Sequence, residues 1–267
     1  FKAINHLASR KKWDFFMFVE IGVDRVHHAF WKFFDPTHHL YTPGNEFEHV
    51  IEDYYKYVDQ KIAELLKVVG KDVLIFVVSD HGAKGMRGAF CVNEWLIEKG
   101  YLVIKHKPGG VVDLEKLSID WDRTKAWGWG GYYARIFINL KGREPHGTVD
   151  PRDYEDIREQ LARELQKITG PNGEKWETKV YKPEELYPQV NGDPPDLIVY
   201  FDNLYWRSAG TLGWPTNYLP ENDRGPDDAV HDWYGVLTIY DPEGTISEGF
   251  KGEIQAHQVK DLILKFY

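Results

Sequence analysis

Three short stretches of this chain hold side chains that can ligate a metal or move a proton. The first is Asp24-Arg25-Val26-His27-His28. If a helix begins there, Asp24 and His28, four residues apart, share one face and can grip one ion; His27, three apart, fits as well, and spacing alone does not choose. Asp24 could equally be an N-cap, with both histidines as polar surface. The second stretch is Ser79-Asp80-His81-Gly82, directly after the apolar run Val73 to Val78. A carboxylate beside an imidazole offers the oxygen and nitrogen donors that zinc and manganese take, and Gly82 permits a tight turn. An ordinary strand-end turn with a capping aspartate reads the same way. The third is Gly225-Pro226-Asp227-Asp228-Ala229-Val230-His231-Asp232. Here a ligand histidine backed by carboxylates is one reading, and a solvated acidic loop is the other. Together the three are more specific than any one. Two metals about 4 Å apart, held by carboxylates and imidazoles, clamp the attacking and leaving oxygens of a phosphoryl displacement. His38, His39, His49, His106, His146 and His257 lack such a context and read as surface residues.

Elements must bring these stretches together. In open α/β sheets, ligands bind beyond the carboxyl ends of the strands, and the first two stretches each follow a strand-like run. Phe15 to Val23 reads as a buried strand and Asp24 to Phe34 as a helix start. Glu46 to Val69 is the clearest helix, Val73 to Val78 a second buried strand, and Cys91 to Lys99 a short helix. Tyr133 to Leu140 alternates as a strand does, and Asp150-Pro151 opens a helix running to about Ile168. Leu197 to Phe201 and Gly235 to Tyr240 read as short buried strands, and Gln255 to Phe266 as a closing helix. Strands alternating with helices predict a layered α/β domain. Residues 103–193 fall between core strands and read as a partly separate subdomain.

Composition narrows the function. With 42% hydrophobic and 28% charged residues over 267 positions, the chain can bury a core, which excludes a disordered or fibrous protein. Lysine and arginine number 33 against 42 acids, a net charge of -9 that argues against a nucleic-acid duplex or an anionic membrane as partner. A single cysteine, Cys91, excludes an intramolecular disulfide and a cysteine-based zinc cluster, and makes a cytoplasmic location the default. The longest apolar runs have strand length, too short to span a bilayer. Gly128-Trp129-Gly130-Gly131 is no phosphate-binding loop, because no Lys-Ser/Thr follows; it reads as a turn with close backbone packing. Tyr132 and Tyr133 are candidates to stack on a base if the substrate is a nucleotide.

In order and spacing, Asp24-x-x-x-His28, Ser79-Asp80-His81-Gly82 and the later His231 resemble the alkaline phosphatase superfamily, and within it the type I phosphodiesterase/nucleotide pyrophosphatase family. Asp122-Arg123-Thr124-Lys125-Ala126, Ile138 to Pro145, Pro195 to Val199 and Gly225 to Asp228 add to the likeness, which runs from about Trp13 onward. The resemblance implies a three-layer α/β/α core in residues 1–102 and 194–267, with 103–193 as an inserted α+β subdomain. It implies two divalent metals, zinc first and manganese as the alternative. Asp24, His28 and His231 match the ligands of one metal, which favours His28 over His27; Asp80 and His81 match two ligands of the other. The implied activity is hydrolysis of a small phosphate ester or nucleotide through a Thr or Ser nucleophile. In the family that nucleophile, and a strand-end aspartate, precede the segment matching Asp24; here 23 residues precede it, with no threonine among them. The expectation is therefore the C-terminal portion of such an enzyme, incomplete at the N-terminal side of its core, with an upstream segment as a partner. The alternatives are a non-catalytic metal- or partner-binding relative, for which the aromatic stretch Tyr205 to Tyr218 would serve as a surface, and a phosphomutase or sulfatase of the same superfamily.

Overall fold

The computed structural model describes residues 1–244 and 252–265. The helices are α1 (Lys2–Arg10), α2 (Gly22–Phe34), α3 (Val50–Val69), α4 (Val92–Glu98), α5 (Tyr154–Gln166), α6 (Pro183–Leu186) and α7 (Gln258–Leu264). The strands are β1 (Ile75–Val78), β2 (Gly82–Gly85), β3 (Gly88–Cys91), β4 (Ala126–Trp129), β5 (Ala134–Ile138), β6 (Lys179–Tyr181), β7 (Leu197–Tyr200), β8 (Trp206–Ala209), β9 (Tyr218–Leu219), β10 (Ala229–Asp232) and β11 (Leu237–Tyr240). This mixture of helices and strands is the expected α/β class. The expected helix from Glu46 starts only at Val50, and the expected helix from Cys91 starts after β3, which takes Cys91 as its last residue. Phe266 lies outside the described residues.

The chain folds as two compact units. The first is built from residues 1–26, 49–83 and 232–267, the second from 27–48 and 84–231. The divisions fall inside α2, β2 and β10, and between Glu48 and His49.

In the first unit α1 packs on α3. Phe1 meets Phe18 and Tyr57 edge-on, with ring centroids 6.0 and 6.4 Å apart. Two expectations need correction here. Phe15 to Glu20 forms no strand and Gly22 and Val23 already belong to α2, while Met17 and Val19 are 72% and 75% exposed. The apolar run alone predicted burial, yet a strand is buried only when neighbours take up its backbone groups and cover both its faces. β1 likewise pairs antiparallel with β11, from Ile75 opposite Tyr240 to Val78 opposite Leu237. Val77, Val78, Val236 and Tyr240 remain exposed on this two-stranded ladder.

The second unit carries the core. A four-stranded sheet in the order β4-β5-β7-β6 is antiparallel throughout. A second sheet sets β3 between β8, parallel to it, and β9, antiparallel. Phe90, Leu96, Ile136, Leu161, Leu165, Leu197 and Phe201 are fully buried in one cluster, with Trp176, Trp206 and Tyr218 packed among them. The spacing of Leu161 and Leu165 is one helical turn, which turns the apolar stripe of α5 inward. The glycine-rich turn is close packing, as the sequence predicted. A Cβ on Gly130 would lie 2.4 Å from the Gly210 nitrogen, and the Asn93 side chain bonds Gly128 N–H and the carbonyls of Gly128 and Gly210.

The remaining family-like motifs are structural joints. Asn139 donates to the carbonyls of Trp121, Thr124 and His146. Asp196, 3% exposed, accepts from Arg143 at 2.8 and 2.7 Å, from the Tyr154 hydroxyl at 2.5 Å and from the Ile138 N–H at 2.5 Å. Arg158 donates to the Asp196 carbonyl and grips Glu184 with two nitrogens. The segment from Ile138 to Pro145 is thereby tied to β7 and α5.

Candidate metal site

α2 starts at Gly22, where the backbone N–H donates to the Glu20 carboxylate at 2.7 Å, so Asp24 sits in the first helical turn. A carboxylate there is favoured by the helix dipole. Because α2 runs unbroken to Phe34, Asp24 and His28 lie one turn apart on one helix face. His27 turns elsewhere: its ring meets Trp31 edge-on, with centroids 5.4 Å apart.

His28 meets His231 of β10, with ring centroids 5.4 Å apart. Both histidines belong to the second unit, and Asp24 lies one turn before His28 along α2. The second-unit surroundings of the two histidines are specific. His28 Nδ1 lies 2.7 Å from an Asp227 carboxylate oxygen and 3.2 Å from the Ala229 carbonyl, both acceptors, so Nδ1 carries the proton. The lone pair then belongs to Nε2, and the Tyr132 hydroxyl lies 3.3 Å from it. A carboxylate on the far nitrogen is the arrangement that fixes tautomer and raises basicity in metal-ligating histidines. The Tyr132 ring also stacks on His231, at 3.8 Å between centroids and 25° between planes. Arg207 of β8 donates to the other oxygen of Asp227 and lies over Tyr132, 4.4 Å from the ring centroid.

The acidic loop before β10 is therefore not a solvated one. Asp227 holds His28, while Asp228 is 2% exposed and pairs with Lys32 at 3.3 Å. Burial raises the Asp228 carboxyl above the usual range, and Lys32 offsets part of that rise. His38, read from the sequence as a surface residue, is buried instead, with Nε2 donating to the Asp228 carbonyl at 3.1 Å. Burial lowers its pKa. His49, His106, His146 and His257 are exposed, as expected.

Asp80 and His81 belong to the first unit. The Asp80 side chain is 88% exposed and lies 3.7 Å from His81 Nε2, while His81 Nδ1 is 2.9 Å from the Gly82 carbonyl. Gly82 is required, since a Cβ there would lie 2.1 Å from the Tyr234 carbonyl oxygen. Ser79 anchors the turn by accepting from the Val236 N–H at 2.7 Å. Arg207 and the double role of Tyr132 were not found from the sequence. The available signal for Arg207 was one cation inside the apolar, aromatic run from Tyr205 to Trp214.

Two imidazoles and a carboxylate, one imidazole held by a second carboxylate, are the donors that zinc-like divalent ions take. Cys91 has no part in this chemistry; it is buried, and burial pushes its thiol up to about 12. No described helix is long and apolar enough to cross a membrane.

Comparison with known proteins places these residues in context. Among curated proteins, none matches the sequence. The solved structure of human ectonucleotide pyrophosphatase/phosphodiesterase 5 is similar over 90% of this chain and 50% of its own, at 14% identity and a TM-score of 0.47. The present chain thus spans about half the length of that protein. The model of the type I phosphodiesterase/nucleotide pyrophosphatase family matches residues 1–227, most of the chain, and the protein belongs to that family.

Proposed function

We propose that the protein acts in metal-dependent hydrolysis of small phosphodiesters or nucleotide pyrophosphates. The observation that carries this reading is His28, held through Nδ1 by Asp227 with its opposite nitrogen presented beside His231. Asp24, His28 and His231 would hold one divalent ion, zinc first and manganese as the alternative, and Asp80 and His81 would contribute to a second. Bound there, such ions lower the pKa of a coordinated hydroxyl and neutralise charge on the phosphoryl oxygens. They would also supply the local positive charge that an anionic substrate needs in a protein of net charge -9. The residues themselves do the orienting: Asp227 keeps His28 in one tautomer, and Tyr132 keeps the plane of His231.

A second reading, a metal-binding chain without turnover, is favoured by one feature, the 88% exposure of the Asp80 side chain. The two readings separate in one experiment. Hydrolysis of bis-p-nitrophenyl phosphate is measured with added zinc or manganese, for the longest natural form of the protein and its His231→Ala variant. A loss of at least about a hundredfold supports the site, on the scale of removing a metal's transition-state stabilisation. Equal rates for variant and parent sink it, and zinc binding without any hydrolysis supports the non-catalytic reading.

A further inference from the structure

Arg207 stands at the middle of β8, between Trp206, which packs into the aromatic core, and Ser208. Side chains alternate along a strand, so the residue after a core tryptophan faces the other way, toward Tyr132 and Asp227. The position is costly for a cation. The Arg207 side chain is 10% exposed, its Nε is buried without a hydrogen-bond partner, and burial lowers its pKa. An apolar side chain would serve stability as well or better, because buried ion pairs often fail to recover their desolvation cost. What Arg207 does have is two lines of contact. Through Asp227 it reaches His28 Nδ1, 2.7 Å from that carboxylate. Through Tyr132, over whose ring it lies, it reaches His231, whose ring stacks on that of Tyr132 with centroids 3.8 Å apart.

We infer that Arg207 is a positioning residue for the two metal-ligating imidazoles, holding Asp227 against His28 and Tyr132 against His231. The inference rests on the reading of His28 and His231 as ligands. A planar guanidinium suits both tasks at once: it donates in a fixed direction to a carboxylate while its face stacks on an aromatic ring. Lysine, a point charge on a flexible stem, would keep the charge near Asp227 and lose the stacking.

The test is zinc affinity of the full chain, measured by competition with a chromophoric chelator, together with the visible spectrum of the cobalt(II)-loaded protein. Arg207→Met is expected to weaken zinc binding by about ten- to a hundredfold, on the scale of changes in groups that orient metal ligands. It should also alter the cobalt spectrum, and Arg207→Lys should recover part of the affinity. Zinc affinity within twofold of the parent, with an unchanged cobalt spectrum, would overturn the inference. Should Arg207→Met fail to fold, Arg207→Gln/Asp227→Asn is compared with Asp227→Asn alone: a further loss of zinc affinity is expected, and equal affinities would overturn the inference. His231→Ala separates this inference from the reading beneath it. If that variant binds zinc as the parent does, the ligand assignment and the inference fall together. If it loses zinc while Arg207→Met keeps it, only the role of Arg207 falls.

Discussion

Asp196 and Asp227 are both carboxylates gripped by an arginine within the second unit, yet they do different work. Asp196 spends its oxygens on structure, taking Arg143, the Tyr154 hydroxyl and the Ile138 N–H. Every donor in that knot belongs to an element whose place the knot fixes. Asp227 instead divides its oxygens between Arg207 and His28 Nδ1, and the chain of contacts continues to the imidazole nitrogen that would meet a ligand. An arginine–aspartate pair is thus no sign of function by itself. What distinguishes the two is whether the bonding closes on backbone and packing, or passes through a histidine to a nitrogen able to bind something else.

The largest effect that would test this contrast lies in the closed knot. Asp196→Ala takes one carboxylate from Arg143, which keeps Glu144, and leaves the Tyr154 hydroxyl and the buried Ile138 N–H without their acceptor; it should cost about 2–4 kcal/mol of stability. Urea unfolding of parent and variant measures it, and a loss below about 1 kcal/mol would mean that Asp196 is no keystone. At the open pair the effect should move from stability to binding. Asp227→Asn keeps the size of the side chain and a hydrogen bond to His28, yet removes the charge that favours one tautomer. Zinc affinity should fall about ten- to a hundredfold, with the unfolding midpoint shifted less than in Asp196→Ala. A midpoint shifted as far as in Asp196→Ala, with zinc affinity kept, would erase the distinction between the two aspartates.

The smallest expected effect is alkaline. Burial, then the Asp196 hydrogen bond, push the Tyr154 hydroxyl up to about 12, so the folded chain keeps a proton that an unfolded tyrosine loses near 10. Because the folded state binds more protons in that window, the contribution is present below about pH 10 and is lost as pH rises toward 12. Comparing parent and Tyr154→Phe by urea unfolding at pH 9 and pH 11 checks the sign. The parent should lose more stability than the variant across that interval, and an identical loss in both would remove Tyr154 from the closed knot.

Much of the second unit was legible along the chain. The alternation in Tyr133 to Leu140 became β5, the apolar run at Leu197 became β7, and Pro151 led into α5. These segments obey local rules, and the core they need is supplied within the same unit. The first unit was harder to read. Phe15 to Val23 and Val73 to Val78 have the composition of buried strands, but burial depends on which strands lie alongside, and no residue type encodes that. His38 failed for a related reason: its burial comes from Asp228, 190 positions away.

The sequence by itself determined the candidate ligands, because Asp24-x-x-x-His28, Asp80-His81 and the acidic approach to His231 carry their chemistry in residue type and short spacing. It also set the helix that places Asp24 and His28 on one face, a consequence of the helical repeat alone. Only the tertiary structure decided which way each ring turns. His27 went to Trp31 and His28 to Asp227, a contact spanning 199 positions. Tyr132, in the turn before β5, reached His28 and His231, and Arg207 of β8 reached Asp227 and Tyr132. Ring orientation and tautomer are fixed by hydrogen bonds and stacking between segments that meet only when the sheets assemble, and local sequence patterns hold no record of those meetings.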